Sequence, residues 1–186
     1  MLIQKNEATD LPLFGAFLLK PLIFEDDRGA FYKIFTADLL SGKGAGNTFS
    51  EQNLSVSKKG VIRGLHYQRG QFSQAKLVMC PKGQILDVIV DLRKSSPTFG
   101  KWTSAVLSDE NRHAIYVPRG FAHGFLVLSD EAHVLYMCDN AYSPKEELGV
   151  AYNDPGLAIK WPVSGNATLS QKDLGWPSFE KCEKFD

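Results

Sequence analysis

The chain has 186 residues, 44% of them hydrophobic and 23% charged, which suits a folded globular protein and argues against disorder, collagen-like repeats and coiled coils. Its 21 Lys and Arg balance 21 Asp and Glu, so no overall charge draws it to nucleic acid or an anionic membrane. Any anionic ligand must be held by a local cluster, and one core in a single domain over residues 1–186 is the default at this length. Along the chain, the apolar stretch Leu11–Leu22 is broken by Pro12, Lys20 and Pro21, lacks a basic lead-in and a small-residue cleavage site, and is too short for a membrane span. Neither secretion nor membrane insertion is expected. Thr36–Ser41 reads as a short helix before the loop Gly42-Lys43-Gly44-Ala45-Gly46. Strand signals then dominate, at Val61–Tyr67, Lys76–Cys80, Gln84–Arg93, Trp102–Leu107, Ala114–Val117, Gly124–Leu128 and His133–Cys138, with turns such as Pro81-Lys82-Gly83, Ser96-Pro97 and Pro118-Arg119-Gly120 between them. Gln84–Arg93 is the clearest. Leu86, Val88, Val90 and Leu92 share one face and Asp87, Asp91 and Arg93 lie on the other with Ile85 and Ile89, which predicts a half-buried strand. A helical turn near the C-terminus completes the series.

No long amphipathic helix separates the strands, as βαβ units would require. Many antiparallel strands closing on themselves predict an all-β barrel or jelly roll, whose interior is a natural cavity for a small ligand. Cys80, Cys138 and Cys182 are odd in number, scattered and free of C-x-x-C spacing, so neither a disulfide framework nor a zinc knuckle is indicated and a reducing cytoplasm fits best.

Two of the four histidines sit in glycine-rich contexts beside predicted strands, in Arg63-Gly64-Leu65-His66-Tyr67-Gln68 and Pro118-Arg119-Gly120-Phe121-Ala122-His123-Gly124. The second segment, P-x-G-x-x-H, resembles the second motif of the cupin superfamily, small β-barrels that often hold a metal. A divalent site needs three or four convergent ligands. Where metal-binding cupins supply H-x-H and a following Glu, this chain reads His66-Tyr67-Gln68 with no Glu close behind, so no metal is expected. A histidine without a metal can act as a general base, because its unperturbed pKa of about 6.5 leaves it largely neutral near neutrality. Any one histidine taken alone is more often a core residue satisfied by hydrogen bonds; the flanking residues change that balance.

Arg28-Gly29-x-Phe31, Val61-Ile62-Arg63-Gly64-Leu65-His66-Tyr67-Gln68, Ala75-Lys76-Leu77-Val78, Ile85-Leu86-Asp87-Val88, Asp91 to Gly100, Val117-Pro118-x-Gly120-Phe121-Ala122-His123-Gly124-Phe125, Tyr142-Ser143-Pro144 and Leu169-Ser170-x-Lys172-Asp173 together resemble the dTDP-4-dehydrorhamnose 3,5-epimerase family, in the same order from about Phe17 onward. The resemblance implies a cupin-type jelly-roll β-barrel with short peripheral helices, no metal or organic cofactor, and an NDP-4-keto-6-deoxyhexose substrate. Inverting a carbon beside a ketone requires removing its proton, stabilising the enolate and returning a proton to the opposite face. By matching position, His66 is the expected base, Asp173 its orienting carboxylate, Lys76 the positive charge at the keto oxygen, and Tyr136 the acid on the other face. Arg28 and Arg63 resemble diphosphate contacts, for which a bidentate guanidinium is suited. His123 is expected to line the sugar pocket, with Phe24 and Tyr142 beside the nucleoside.

Two departures fall at the expected nucleobase pocket. Where the family has R-G-x-F-x-E this chain has Lys33, and in Phe49-Ser50-Glu51-Gln52-Asn53 the residue Glu51 stands at a Gln position, with Asn53 nearby as a further contact. Thymine offers a donor at ring nitrogen 3 and an acceptor at oxygen 4, whereas cytosine offers the reverse. Exchanging acceptor for donor at one position and adding an obligate acceptor at the other suits CDP; the alternative is an exposed Lys33–Glu51 ion pair that touches no ligand. The retained groups do not decide whether carbon 3 alone or carbons 3 and 5 are inverted. The competing readings are a keto-sugar isomerase of the same superfamily, a sugar-nucleotide-binding cupin without catalysis, and a metal-dependent cupin. The resemblance also implies a homodimer in which an N-terminal strand joins the partner's sheet, and a deoxysugar destined for a surface polysaccharide such as O-antigen or lipopolysaccharide.

Overall fold

The computed structural model describes residues 6–163 and 166–186. In chain order the elements are β1 (Glu7–Asp10), β2 (Phe17–Lys20), β3 (Leu22–Asp26), β4 (Gly29–Lys33), α1 (Ala37–Gly42), β5 (Glu51–Lys58), β6 (Ile62–Gln68), a 3-10 turn (Gly70–Phe72), β7 (Lys76–Lys82), β8 (Gln84–Asp91), β9 (Trp102–Ser108), β10 (Ala114–Val117), β11 (Phe121–Val127), β12 (Glu131–Cys138), β13 (Glu147–Gly149) and α2 (Gln171–Leu174). Six strands form one sheet in the order β1-β2-β10-β7-β12-β5, five form a second in the order β13-β6-β11-β8-β9, and β3 and β4 make a separate hairpin. Neighbouring strands in all three run antiparallel, the jelly-roll class expected from the sequence.

Side chains alternate across each strand, so one strand feeds two layers. The inward residues Val78, Cys80, Ile85, Ile89, Ile115, Val117, Phe121, Phe125 and Val134 form a core between the sheets. Outside the five-stranded sheet, Val88, Val90 and Leu92 pack under Leu157, Ile159, Phe179 and Phe185 of the C-terminal segment. Outside the six-stranded sheet, Leu19, Leu77, Met79 and Tyr116 are covered by Leu40 of α1. β8 is therefore not the half-buried strand that its alternation predicts. Asp87 and Asp91 are fully buried with their apolar neighbours, because core lies on one face and the C-terminal segment on the other. Asp91 is satisfied by Arg93, Ser96 and Thr98, whose hydrogen bonds hold its carboxyl below the usual range although burial pushes it up.

Both helices begin on a side-chain cap. Thr36 Oγ1 accepts from Leu39 N at 3.3 Å, so α1 starts one residue later than the periodicity indicates, and Ser170 Oγ accepts from Asp173 N at 3.1 Å. A pair of glycines sets the most consequential register. Gly64 has φ +127, and a Cβ there would lie 2.6 Å from Gly124 Cα; a Cβ on Gly124 would lie 2.6 Å from Arg63 O. Their bare backbones let β6 and β11 close up where the register shifts, leaving His66 directly opposite His123.

Candidate active site

Toward one end the space between the sheets is unfilled, a cavity of about 600 Å³. The six-stranded sheet contributes Glu51, Asn53 and Ser55 from β5, Lys76 from β7, and Tyr136 and Cys138 from β12. The five-stranded sheet contributes Arg63, His66 and Gln68 from β6, His123 and Phe125 from β11, and Glu147 from β13. The expected base thus faces the expected acid and the expected cation from the opposite sheet.

His66 Nε2 lies 2.5 Å from Asp173 Oδ1. Asp173 is buried at the foot of α2, and burial raises its pKa, but the hydrogen bonds from His66, Trp176 Nε1 and the Gly64 N–H outweigh that and hold it below the usual carboxylate range. The carboxylate is ionised, so Nε2 of His66 carries the hydrogen, and in the neutral ring the lone pair then lies on Nδ1. Trp176 stands edge-on to the imidazole at 6.1 Å and steadies the ring. Burial pushes the Tyr136 phenol up, with Cys138 beside it acting the same way, so Tyr136 remains a donor. Burial draws Lys76 down, and Cys138, Asp87 and Glu147 nearby oppose the shift in so far as they are ionised.

The mouth is built by Gln68. Its Nε2 donates to the carbonyls of Phe72 and Ala141, and its Oε1 accepts from Ser143 N, so it clamps the loop that presents Tyr142. Glu51 Oε1 accepts the Tyr142 N–H at 2.7 Å. The half-exposed Tyr142 donates its hydroxyl to Glu147, which also pairs with Lys172. Although burial raises the Glu147 carboxyl, the Lys172 and Tyr142 hydrogen bonds hold it below its ordinary value.

Of the residues expected from the sequence, His66, Lys76, Tyr136, Arg63, His123, Glu51, Asn53 and Tyr142 line this one cavity and Asp173 backs it. Phe24, Arg28 and Lys33 do not. They ride on the β3–β4 hairpin, where Arg28 pairs with Asp26 and, with Phe24, borders a separate shallow depression. No salt bridge joins Lys33 to Glu51. Sequence reasoning missed Glu147, Cys138 and Ser55, which lie in segments with no marked chemistry, and Asp87, which was visible in Ile85-Leu86-Asp87-Val88 and was assigned no task. Among the described residues no three His, Cys, Asp or Glu side chains are grouped as a metal set.

The model of the dTDP-4-dehydrorhamnose 3,5-epimerase family matches residues 10–181. A dTDP-4-dehydrorhamnose 3,5-epimerase of Shigella flexneri is 44% identical over 186 residues, covering 100% of this chain and 99% of that protein. The crystal structure of the Elizabethkingia anophelis dTDP-4-dehydrorhamnose 3,5-epimerase superposes with a TM-score of 0.92 at 43% identity, covering 95% of this chain and 98% of the other. A dTDP-6-deoxy-D-glucose-3,5-epimerase from Legionella pneumophila, solved in complex with dTDP-4-keto-L-rhamnose, does so at 0.90 and 41% identity, covering 95% and 94%.

Proposed function

Because this chain belongs to the dTDP-4-dehydrorhamnose 3,5-epimerase family and is a cupin-fold sugar-nucleotide epimerase of deoxysugar biosynthesis, we propose that it inverts carbon 3, and carbon 5 where the sugar can turn, of a dTDP-linked 4-keto-6-deoxyhexose in the cavity between its sheets. The observation that carries this reading is His66, backed by Asp173, facing Tyr136 and Lys76 across that cavity. Nδ1 of His66 takes the hydrogen from the carbon next to the ketone. The electron pair moves to the keto oxygen, where the Lys76 ammonium meets the developing enolate charge. Tyr136 then gives its proton to the opposite face, and solvent exchange resets both groups. Arg63, whose Nε is tethered to Ser57 Oγ at 2.9 Å, is positioned for the diphosphate at the mouth.

Phe24, Arg28 and Lys33 lie off the cavity of their own chain, which fits a homodimer in which the hairpin reaches a partner's site. The exposed Phe24 and Phe31 on the hairpin, and Leu54 and Val56 on the edge strand β5, are apolar surface that such a partner would cover. Glu51 at the mouth and Lys33 on the hairpin favour a second reading of the base, CDP in place of dTDP. Titration calorimetry with both nucleotides separates the two: dTDP binding at least as tightly as CDP retires it. No helix of the described residues is long and apolar enough to cross a membrane, and a cytoplasmic location fits the nucleotide-linked substrate.

The test is incubation with dTDP-4-keto-6-deoxyglucose in heavy water, followed by mass and proton spectra. Deuterium at carbon 3, or at carbons 3 and 5, with inversion supports the reading. No incorporation leaves a binding protein, and a stoichiometric metal lost together with activity assigns the chemistry elsewhere.

A further inference from the structure

The reaction above leaves one carboxylate without a part. Asp87 is fully shut off from solvent, placed on β8 between the core residues Ile85 and Ile89 and directed to the same side of its sheet as His123. Its Oδ2 lies 2.8 Å from His123 Nε2, and its Oδ1 has no hydrogen-bond partner. A buried carboxylate with an orphaned oxygen is costly unless a charge compensates it. The cation across the sheets is Lys76, which lines the same cavity as the His123 that Asp87 holds and makes no salt bridge of its own among the described residues.

We propose that Asp87 is the positioning residue of the carbonyl side of the cavity: as an anion it accepts the Nε2 hydrogen of His123, leaving Nδ1 of that ring to the substrate, and it keeps Lys76 protonated where the enolate forms. The part given to Lys76 rests on the epimerase reading. The other groups around Lys76 do not supply this charge. β12 presents Tyr136 and Cys138, both raised by burial and so uncharged near neutrality, and β10 presents Val117. From β6 come His66 and Arg63, from β11 His123, and from β5 Glu51, whose carboxylate is engaged by the Tyr142 N–H at the mouth. Glu147 of β13 is already shared by Lys172 and Tyr142. Among these groups Asp87 is the buried carboxylate with an oxygen still unpartnered, placed to oppose the burial that pulls Lys76 down.

The alternative is a neutral Asp87 that donates from Oδ2 to His123, which forces the Nδ1–H form of the ring and removes the counter-charge. The two are distinguished in wild-type protein with no substrate present, so the result is independent of whether the epimerase reading holds. Protein labelled with ¹⁵N-histidine is examined at about pH 8, above the usual imidazole range. The ring signals of His123 are identified by their loss in His123→Gln. The Nε2–H tautomer is expected, and the Nδ1–H tautomer overturns the proposal. In Asp87→Asn, circular dichroism should be unchanged and KM should move by less than about threefold, while the alkaline limb of kcat/KM shifts down by about one pH unit or more as Lys76 loses its proton earlier. Asp87→Glu should restore part of that limb. An alkaline limb that stays in place in Asp87→Asn, with activity falling only in step with thermal stability, assigns Asp87 a purely structural role and overturns the proposal. If Asp87→Asn does not fold, the tautomer in wild-type protein decides alone.

Discussion

The two ends of the space between the sheets are built from the same strands and do opposite work. On β7, Lys76 borders the cavity while Val78 and Cys80, two and four residues on, are core; on β12, Tyr136 and Cys138 border the cavity while Val134 and Ala132 are core. A period of two keeps all of them on the inner face, so a short step along a strand exchanges packing for chemistry. At the closed end Val78, Cys80, Val134 and Ala132 bring apolar surface inward, and its burial stabilises the fold. At the open end, polar groups are held away from bulk water with their hydrogen bonds only partly satisfied. The cost of doing so is what leaves them reactive.

This contrast is sharpest for His66→Ala. Removing the base should lower turnover by roughly 10³-fold, within the range general acid–base catalysis supplies, while the melting temperature moves by only a few degrees. Turnover near the wild-type value would show that another group takes the hydrogen. At the closed end, Ile89→Ala should cost about 2–5 kcal/mol of stability in a denaturant titration, because Ile89 is fully buried and the cavity left behind can relax only in part. Activity per folded molecule should survive. A stable Ile89→Ala variant with impaired turnover would mean the two ends are not separable.

Tyr136→Phe divides the open end within itself. Inversion should fall by about 10²-fold or more, whereas washout of the substrate hydrogen into heavy water should persist, since His66 can still remove and return it on one face. Loss of both signals in parallel would assign the Tyr136 hydroxyl to binding. The smallest effect is in the acid limb of stability. Asp173 has a folded pKa below its ordinary 3.8, so the unfolded chain binds its proton first; the contribution is complete above 3.8 and is lost as pH falls through the lower folded value. Asp173→Asn should flatten the low-pH decline of the melting temperature, leaving the part due to the other lowered carboxylates, Asp91 and Glu147 among them, and Ile89→Ala should shift the curve without changing its slope.

How much of this was legible in the chain depended on the kind of signal. The central strands announce themselves, and Ala114–Val117 coincides with β10 to the residue. β5 was missed because Glu51-Gln52-Asn53-Leu54-Ser55-Val56 carries polar residues inward to the cavity and leaves Leu54 and Val56 outward, the inverse of an ordinary half-buried strand. The hairpin β3–β4 was missed because it pairs with neither sheet and its side chains are mostly exposed, only Tyr32 of β4 packing against the core among its described residues. Eight of the expected site residues converge on the cavity, yet Asp87 had no task until its burial and its distance to His123 were seen.

The sequence by itself determined the all-β class, the family, and the identity of the groups able to move a proton, because residue type and order along a strand are local properties. Only the tertiary structure decided that β8 is covered on both faces, that the hairpin stands off its own cavity, and that His66 and His123 each meet a different carboxylate. Those outcomes depend on which sheet each strand joins and on what covers its outer face. Burial and distance are set by residues far apart in the chain, and no periodicity within a strand encodes them.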